Sequence, residues 1–395
     1  MVTRPAAQAG DSRPGSPFWG LPPASGGWRE GDPVGRRQFL DVGPLRLERG
    51  GVLPAIRVAY ESWGRPSTGA DGRVDNAVLV LHALTGDSHV TGVPEPGHPT
   101  PGWWGGLVGP DRLLDPSRHW IICPNVLGGC QGTTGPASPG PAGRPWGSRW
   151  PRTTVRDQVT VERRLADALG IDRWRLVLGG SMGGMRALEW AVSAPERVVG
   201  LGVVASTGEA SADQIGFSMT QLAAIRADAA WAGGDYHDRK PGDGPHAGLG
   251  VARRIAHLTY RSAGELDARF GRNGQDPVDP LDGGRWQVES YLDHHGDKLA
   301  HRFDAGSYVA LTEAMNSHEL GRDRGGLEAA LASVTARTII AGVDSDRLYP
   351  LEQQERLAAG IRGAGAVRVV HSPHGHDAFL IESGQLGDAL APLLD

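Results

Sequence analysis

The chain has 395 residues, 39% of them hydrophobic and 22% charged, enough apolar material for a sizeable core and enough length for one large domain or two ordinary ones. Its 45 acidic and 40 basic side chains give a formal net charge of -5, so there is no cationic excess to hold a nucleic-acid backbone. No apolar run approaches the roughly 20 residues of a membrane-spanning helix, and the N-terminus lacks the charged-then-apolar pattern of a secretory leader, so the cytoplasm is the expected location.

Residues 1–35 are rich in Pro, Gly, Ala and Ser and have almost no periodic apolar face. Such a stretch cannot offset the entropy of ordering, and a mobile tail is expected. From Leu45, "LRLERGGVLPAIRVAYESWG" alternates apolar and polar residues around Gly50 and Gly51, which predicts an antiparallel hairpin at a sheet edge. Short continuous apolar runs follow: "AVLVLH" from Ala77, "WIIC" from Trp120, "RLVLGG" from Arg175, "VGLGVVAS" from Val199, "TIIAGV" from Thr338 and "AVRVVHS" from Ala366. Runs of this kind are parallel strands buried on both faces. Helical patterns lie between them. Thr154 can cap a stretch in which Val155, Val159, Leu165 and Leu169 fall near helical spacing, and "MRALEWAVSA" follows Ser181. Strand and helix alternate, so the fold class is α/β, with a mostly parallel central sheet flanked by helices.

Residues 208–320 break that rhythm with helix formers, Trp, Arg and His, and predict a helical insertion into a core made of 36–207 and 321–395. Placed between two sheet strands, the insertion would project over the strand ends where ligands bind in α/β folds, as a cap. Two cysteines, Cys123 and Cys130, make neither a disulfide framework nor a zinc site, and fourteen histidines show no H-E-x-x-H pattern. No metal and no bound cofactor is expected.

The strongest local signal is "RLVLGGSMGGMRALEW", where an apolar strand runs into Gly179-Gly180-Ser181-Met182-Gly183 and then into a helix. A nucleophilic serine on a sharp strand-to-helix turn needs glycines beside it, because Cβ atoms would clash there. Its partners should follow in the order acid, then histidine, each after a later strand. Asp344 and Asp346 follow "TIIAGV"; His371, His374 and His376 follow or end "AVRVVHS". Asp346 is favoured over Asp344, which abuts the strand and is expected to bind backbone amides of its own turn. His376 is favoured because it stands one residue after a glycine, on the loop entering "AFLIE", whereas His371 lies too near its strand. In such a triad His376 takes the Ser181 proton and Asp346 fixes the imidazole tautomer. Oxyanion donors are expected from the backbone amide of Met182, just after the nucleophile, and from that of Leu84 in "VLVLHALTGDSH". His82 is read as packing.

A serine-triad fold of this kind serves esterases, thioesterases and acyltransferases alike. Other strings are more specific: "LHALTGDSHVTG", "GHPTPGWW", "NVLGGCQGTTGP", "WGSRWPRTTVRDQV", "GGSMGGMRALEWA", "ARRIAHLTYRS", "GDKLAHRFDAGSYVALTEAMNSHE", "SDRLYPLEQQ" and "GHDAFLIE". Together they resemble the homoserine O-acetyltransferase family of the α/β-hydrolase superfamily, from about Arg36 to the C-terminus. The resemblance implies that Ser181, Asp346 and His376 are nucleophile, acid and base, and that Arg253 of "ARR", Tyr260 and Asp377 contact the amino-acid substrate. It also implies acetyl transfer from acetyl-CoA, as co-substrate, to the hydroxyl of L-homoserine through an acyl-serine, at entry to methionine biosynthesis, in a homodimer assembled through the cap. A guanidinium for the substrate carboxylate and an acid for its ammonium suit a zwitterion. The residues alone do not choose between Arg253 and Arg254, and leave the CoA site unassigned. The alternatives are succinyl-CoA as donor, serine as acceptor, or a capped ester or thioester hydrolase.

Overall fold

The computed structural model describes residues 20–395. Its strands, in chain order, are β1 (Gln38–Asp41), β2 (Leu45–Arg46), β3 (Val52–Leu53), β4 (Arg57–Trp63), β5 (Ala77–Leu81), β6 (Trp120–Pro124), β7 (Trp174–Gly180), β8 (Val198–Val204), β9 (Arg337–Val343) and β10 (Arg368–Val370). Eight of them form one sheet in the order β1-β4-β6-β5-β7-β8-β9-β10, parallel from β6 onward and antiparallel only where β4 meets β1 and β6.

Every residue of β5 is buried, which explains its unbroken apolar run. Leu79, Leu81, Val177 and Leu201 face one helical layer, containing α1 (Val155–Ala168) and α2 (Met182–Ser193). Alternate residues Val78, Val80, Leu176 and Leu178 face the other, as the two-residue period of a strand requires. Helix α1 starts where the sequence places its cap: Thr154 and Asp157 bond reciprocally to each other's backbone amides in a capping box.

The insertion carries α3 (Ala212–Ala227), α4 (His246–Tyr260), α5 (Ala263–Phe270), α6 (Gln287–Arg302) and α7 (Ala305–Asn316). Its two ends are stitched together where Leu320 N donates to Gly208 O at 2.8 Å and Ala210 N donates to His318 O at 3.0 Å. The insertion therefore leaves and re-enters the core at one point. Leu222, Ile225, Leu249, Leu299 and Leu311 of these helices pack into one cluster with Leu84 and Met182, which seats the cap over the C-terminal ends of β5 and β7. The core resumes with α8 (Leu327–Ala332), α9 (Leu351–Gly360), α10 (Ala378–Ile381) and α11 (Ser383–Leu390). Among the described residues no helix is long and apolar enough to cross a membrane.

Two expectations need correction. The stretch from Leu45 does turn at Gly50 and Gly51, both with φ near +90°, but β2 and β3 form a separate two-stranded sheet. The edge partner of β4 is β1, which lies before Leu45. Alternation marks a half-buried strand without naming its neighbour. The second correction concerns the N-terminal tail, of which residues 1–19 lie outside the described residues. Residues 20–35 are docked: Ala24 and Ser25 are buried, Trp28 N donates to Cys130 O at 2.8 Å, and Arg29 reaches His237 O. A Cβ on Gly26 would come within 2.6 Å of Phe303 N, so close backbone contact, rather than an apolar stripe, holds this segment.

Candidate active site

Strand β7 delivers Ser181 onto a strained turn. The serine has φ 56° and ψ -125°, a left-handed backbone that residues with a Cβ seldom adopt, and it begins α2. The glycines around it are required by contact. A Cβ on Gly179 would lie 2.2 Å from Gly183 O, and one on Gly183 would lie 2.0 Å from Leu81 O. The turn is braced from outside by Ser181 N donating to Val204 O at 3.0 Å and Ser206 Oγ donating to Ser181 O at 2.7 Å.

The structure brings Ser181, His376 and Asp346 into one hydrogen-bonded chain. His376 Nε2 stands 2.9 Å from Ser181 Oγ, and its Nδ1 stands 2.7 Å from Asp346 Oδ2. The other carboxylate oxygen accepts the backbone amides of Leu348 and Tyr349 at 2.8 and 2.9 Å, which fixes the plane of the acid. All three side chains are buried, and the imidazole is walled by Tyr349, Phe379 and Tyr260, with ring centroids 5.0, 5.2 and 5.8 Å away. Gly375, at φ 64°, lets the histidine loop press against the end of α4, since a Cβ there would lie 2.7 Å from Tyr260 O.

The rival residues go elsewhere. Asp344 accepts from His371 Nδ1 at 2.9 Å and from Ser372 N at 3.0 Å, an exposed pairing between the two loops instead of one confined to its own turn. His374 sits 3.8 Å from Glu265 on the cap.

Leu84 packs in one buried cluster with Met182, the residue that follows the nucleophile. Met182 is the first residue of α2, so its amide has no intrahelical acceptor. The loop bearing Leu84 is set by His82, which the sequence marks only as packing. Its Nδ1 is 2.7 Å from Ala83 O and its Nε2 accepts Val126 N at 3.0 Å. Burial, then the Arg186 charge, pushes this imidazole well below its usual range, so it stays neutral and keeps the acceptor. Arg186 donates to His82 O at 2.5 Å and to Glu162 at 2.7 Å. No local string marks Arg186 for this task; its fully buried charge at a helix-facing position becomes informative only in three dimensions.

Arg253, Tyr260 and Asp377 converge above the triad. The guanidinium of Arg253 lies 5.4 Å from the Tyr260 ring centroid and its Nη1 is 3.4 Å from Thr85 Oγ1. Asp377 Oδ2 pairs with Arg261 Nε at 3.1 Å; burial raises its carboxyl above the ordinary range, against the Arg261 charge. Arg254 is committed to Asp293 at 2.9 Å. A small neighbouring cavity of about 30 Å³ is lined by Leu84, Met185, Phe217, Met315, Leu348 and Tyr349 among others, and no charged side chain faces it.

Among the described residues one group offers metal-type ligand atoms within 4.8 Å of one another: Glu61, His89 and His98. The carboxylate of Glu61 joins them, while the buried Nε2 of His89 has no partner among the described residues. Glu61 accepts Ser88 Oγ at 2.9 Å and His89 Nδ1 at 3.0 Å, with His98 Nε2 3.2 Å away. Burial, then the Arg37 charge, holds His98 down to about 3, so it meets the carboxylate as a neutral ring. Cys123 and Cys130 are both buried free thiols.

Residues 76–383 match the family model described as the alpha/beta hydrolase fold. The chain is 60% identical over 373 residues to a homoserine O-acetyltransferase of Thermobifida fusca, covering 94% of this chain and 97% of the relative. Among solved structures, the homoserine O-acetyltransferase from Bacillus anthracis superposes with a TM-score of 0.81 at 24% identity, over 91% of this chain and 97% of its own. The esterase E22 superposes equally well, at 23% identity, over 91% and 99% of the two chains, so the fold is shared beyond acyltransferases. Sequence identity, which separates the two groups where the fold does not, shows that the chain belongs to the homoserine O-acetyltransferase family.

Proposed function

We propose that the chain acetylates the side-chain hydroxyl of L-homoserine with acetyl-CoA, by a two-step route through acetyl-Ser181. In the first step His376 Nε2 takes the Ser181 proton as Oγ attacks the thioester carbonyl; the tetrahedral oxyanion is held by the Leu84 and Met182 amides. Collapse breaks the C–S bond, and the imidazolium returns its proton to the CoA thiolate. In the second step His376 takes the proton of the homoserine hydroxyl, which attacks the acetyl-serine carbonyl. Ser181 leaves, reprotonated by His376, and O-acetyl-L-homoserine departs, the product with which the pathway to methionine begins. Asp346 holds the imidazole tautomer and stabilises its charged form in both steps.

The observation that carries this reading is the free guanidinium of Arg253, stacked on Tyr260 and next to the oxyanion loop, with no carboxylate partner among the described residues. It suits the homoserine carboxylate, while Asp377, which keeps one oxygen outside its pair with Arg261, suits the ammonium. A hydrolase has no use for such a zwitterion site. The uncharged cavity beside Leu84 and Met185 suits an acetyl methyl and offers no cation to a succinyl carboxylate. Burial of the triad beneath the cap keeps bulk water from the acyl-enzyme.

We extend the reading to a homodimer formed through the cap. Its outward face exposes Met219 of α3 and Val251 and Leu258 of α4, apolar side chains 39–46% accessible.

The test is acceptor-dependent thiol release from acetyl-CoA, with homoserine, serine or no acceptor, and with succinyl-CoA in parallel. Homoserine-dependent release lost in Ser181→Ala is the expected result. Acceptor-independent release would mean a thioesterase, and turnover with succinyl-CoA alone would move the donor.

A further inference from the structure

Three cations meet at the seam between α4 and α6. The helices approach closely there, because a Cβ on Gly296 would stand 3.1 Å from Gly250 O. Arg253 lies on α4. Lys298 and Arg302 lie four residues apart on α6 and so share a face. Arg302 Nη2 donates to Thr85 O at 2.8 Å, immediately beyond the oxyanion residue Leu84, and Arg253 bonds the same threonine's hydroxyl. All three side chains are half-buried, yet none makes an ion pair among the described residues.

Like charges four residues apart on a helix repel, and partial burial sharpens the cost. The repulsion is felt locally: the Lys298 ammonium is pushed down by burial and then by Arg302 and Arg253. The neighbouring acid Asp87 is within electrostatic reach of Arg302 but does not pair with it; its Oδ1 accepts His89 N at 2.9 Å. Most other cap arginines are matched. Arg254 and Arg285 both reach Asp293, Arg261 reaches Asp377 and Glu265, and Arg226 reaches Glu313. An unmatched cluster of three within a largely paired surface is a place kept for an anion.

We infer that Lys298 and Arg302 bind the diphosphate of coenzyme A, Arg253 being reserved for the amino-acid carboxylate. One carboxylate takes one guanidinium fork. That leaves two positive charges over, which a diphosphate matches in number and a second carboxylate does not. Arg302 also lines a surface cleft of about 490 Å³ that it shares with Asp87, Arg37, Trp28 and Arg29, so a nucleotide bound at Arg302 has open space to enter. The inference rests on acetyl-CoA being the donor.

The experiment compares acetyl-CoA with S-acetyl-N-acetylcysteamine, which carries the same thioester on a short arm without phosphates. In Lys298→Ala, which removes a charge and no hydrogen bond among the described residues, kcat/KM for acetyl-CoA relative to the short thioester falls roughly tenfold, through KM. Arg302→Lys keeps the charge but loses the fork and falls less. Equal losses with both donors, or a rise confined to the KM for homoserine, overturns the site. Failure of the donor reading looks different. There, intact protein is acetylated on Ser181 by the short thioester and never by acetyl-CoA, as mass spectrometry of the acyl-enzyme would reveal.

Discussion

Arg254 Nη2 is bound to Asp293 Oδ1 at 2.9 Å, and this pair is what separates two adjacent arginines that the sequence presents as equals. With Arg254 engaged on the flank of α4, Arg253 alone turns toward Thr85 and Tyr260. Arg253→Ala should therefore raise the KM for homoserine by roughly thirtyfold, the equivalent of about 2 kcal/mol for a lost charge-assisted contact. Arg254→Ala removes a half-exposed pair and should change it by less than about threefold. Steady-state kinetics at saturating acetyl-CoA check both, and equal effects would remove the distinction.

Asp346→Asn keeps the size of the side chain and its bonds to the Leu348 and Tyr349 amides, but cannot hold the His376 tautomer that leaves Nε2 free for Ser181. The expected loss in kcat is on the order of 10⁴-fold with an unchanged melting temperature. A loss as large in Asp344→Asn, whose carboxylate serves His371 at the surface, would contradict the assignment.

Replacing a helical glycine by alanine ordinarily stabilises a protein by about 1 kcal/mol. Gly183→Ala should have the opposite sign. Its Cβ would lie 2.0 Å from Leu81 O, a backbone atom that cannot move without shifting β5 and the turn of Ser181. Destabilisation at the upper end of about 1–3 kcal/mol is expected in thermal or denaturant unfolding, together with loss of turnover.

His318 is buried at the point where the insertion rejoins the core, and burial holds it down to about 4 from its usual 6.5. The ring is neutral in the folded state. Its stabilising contribution is complete above about pH 6.5 and is lost as pH falls from there toward 4, because the unfolded chain takes up the proton first. Between about pH 7 and about pH 4.5 the unfolding midpoint of the unaltered chain should fall more steeply than that of His318→Gln. Parallel slopes would show that this residue does not contribute to the acid limb.

Val251 and Leu258 are seven residues apart, lie on one stripe of α4 and are exposed, as is Met219 of α3, the helix packed against α4. Leu258→Glu should shift a homodimer toward monomer in sedimentation velocity while leaving the fold intact. An unaltered sedimentation coefficient, with the parent a dimer, would place the interface elsewhere.

The buried strands β5 to β9, the capped start of α1 and the serine turn were legible in the sequence, because each rests on a local rule: unbroken apolar runs, a Thr-x-x-Asp cap, glycines forced by contacts under 2.5 Å; the run at β10 misled, since that strand lies at the sheet edge and exposes Arg368 and Val369. The order of acid and histidine after later strands was legible too, since parallel topology brings strand ends to one edge of the sheet. What the sequence could not supply were contacts between distant segments. The partner of β4, the docking of residues 20–35 against Cys130 and Phe303, and the support of His82 by Arg186 depend on pairing that no local pattern encodes. The same holds for charge. Along the chain Arg253 and Arg254 are equals and nothing singles out Lys298 or Arg302; only the packing of α4 on α6, with Asp293 taking Arg254, leaves Arg253, Lys298 and Arg302 without an acid among the described residues, two of them bonded to Thr85. An ion pair is a statement about distance, and only the tertiary structure decides distance.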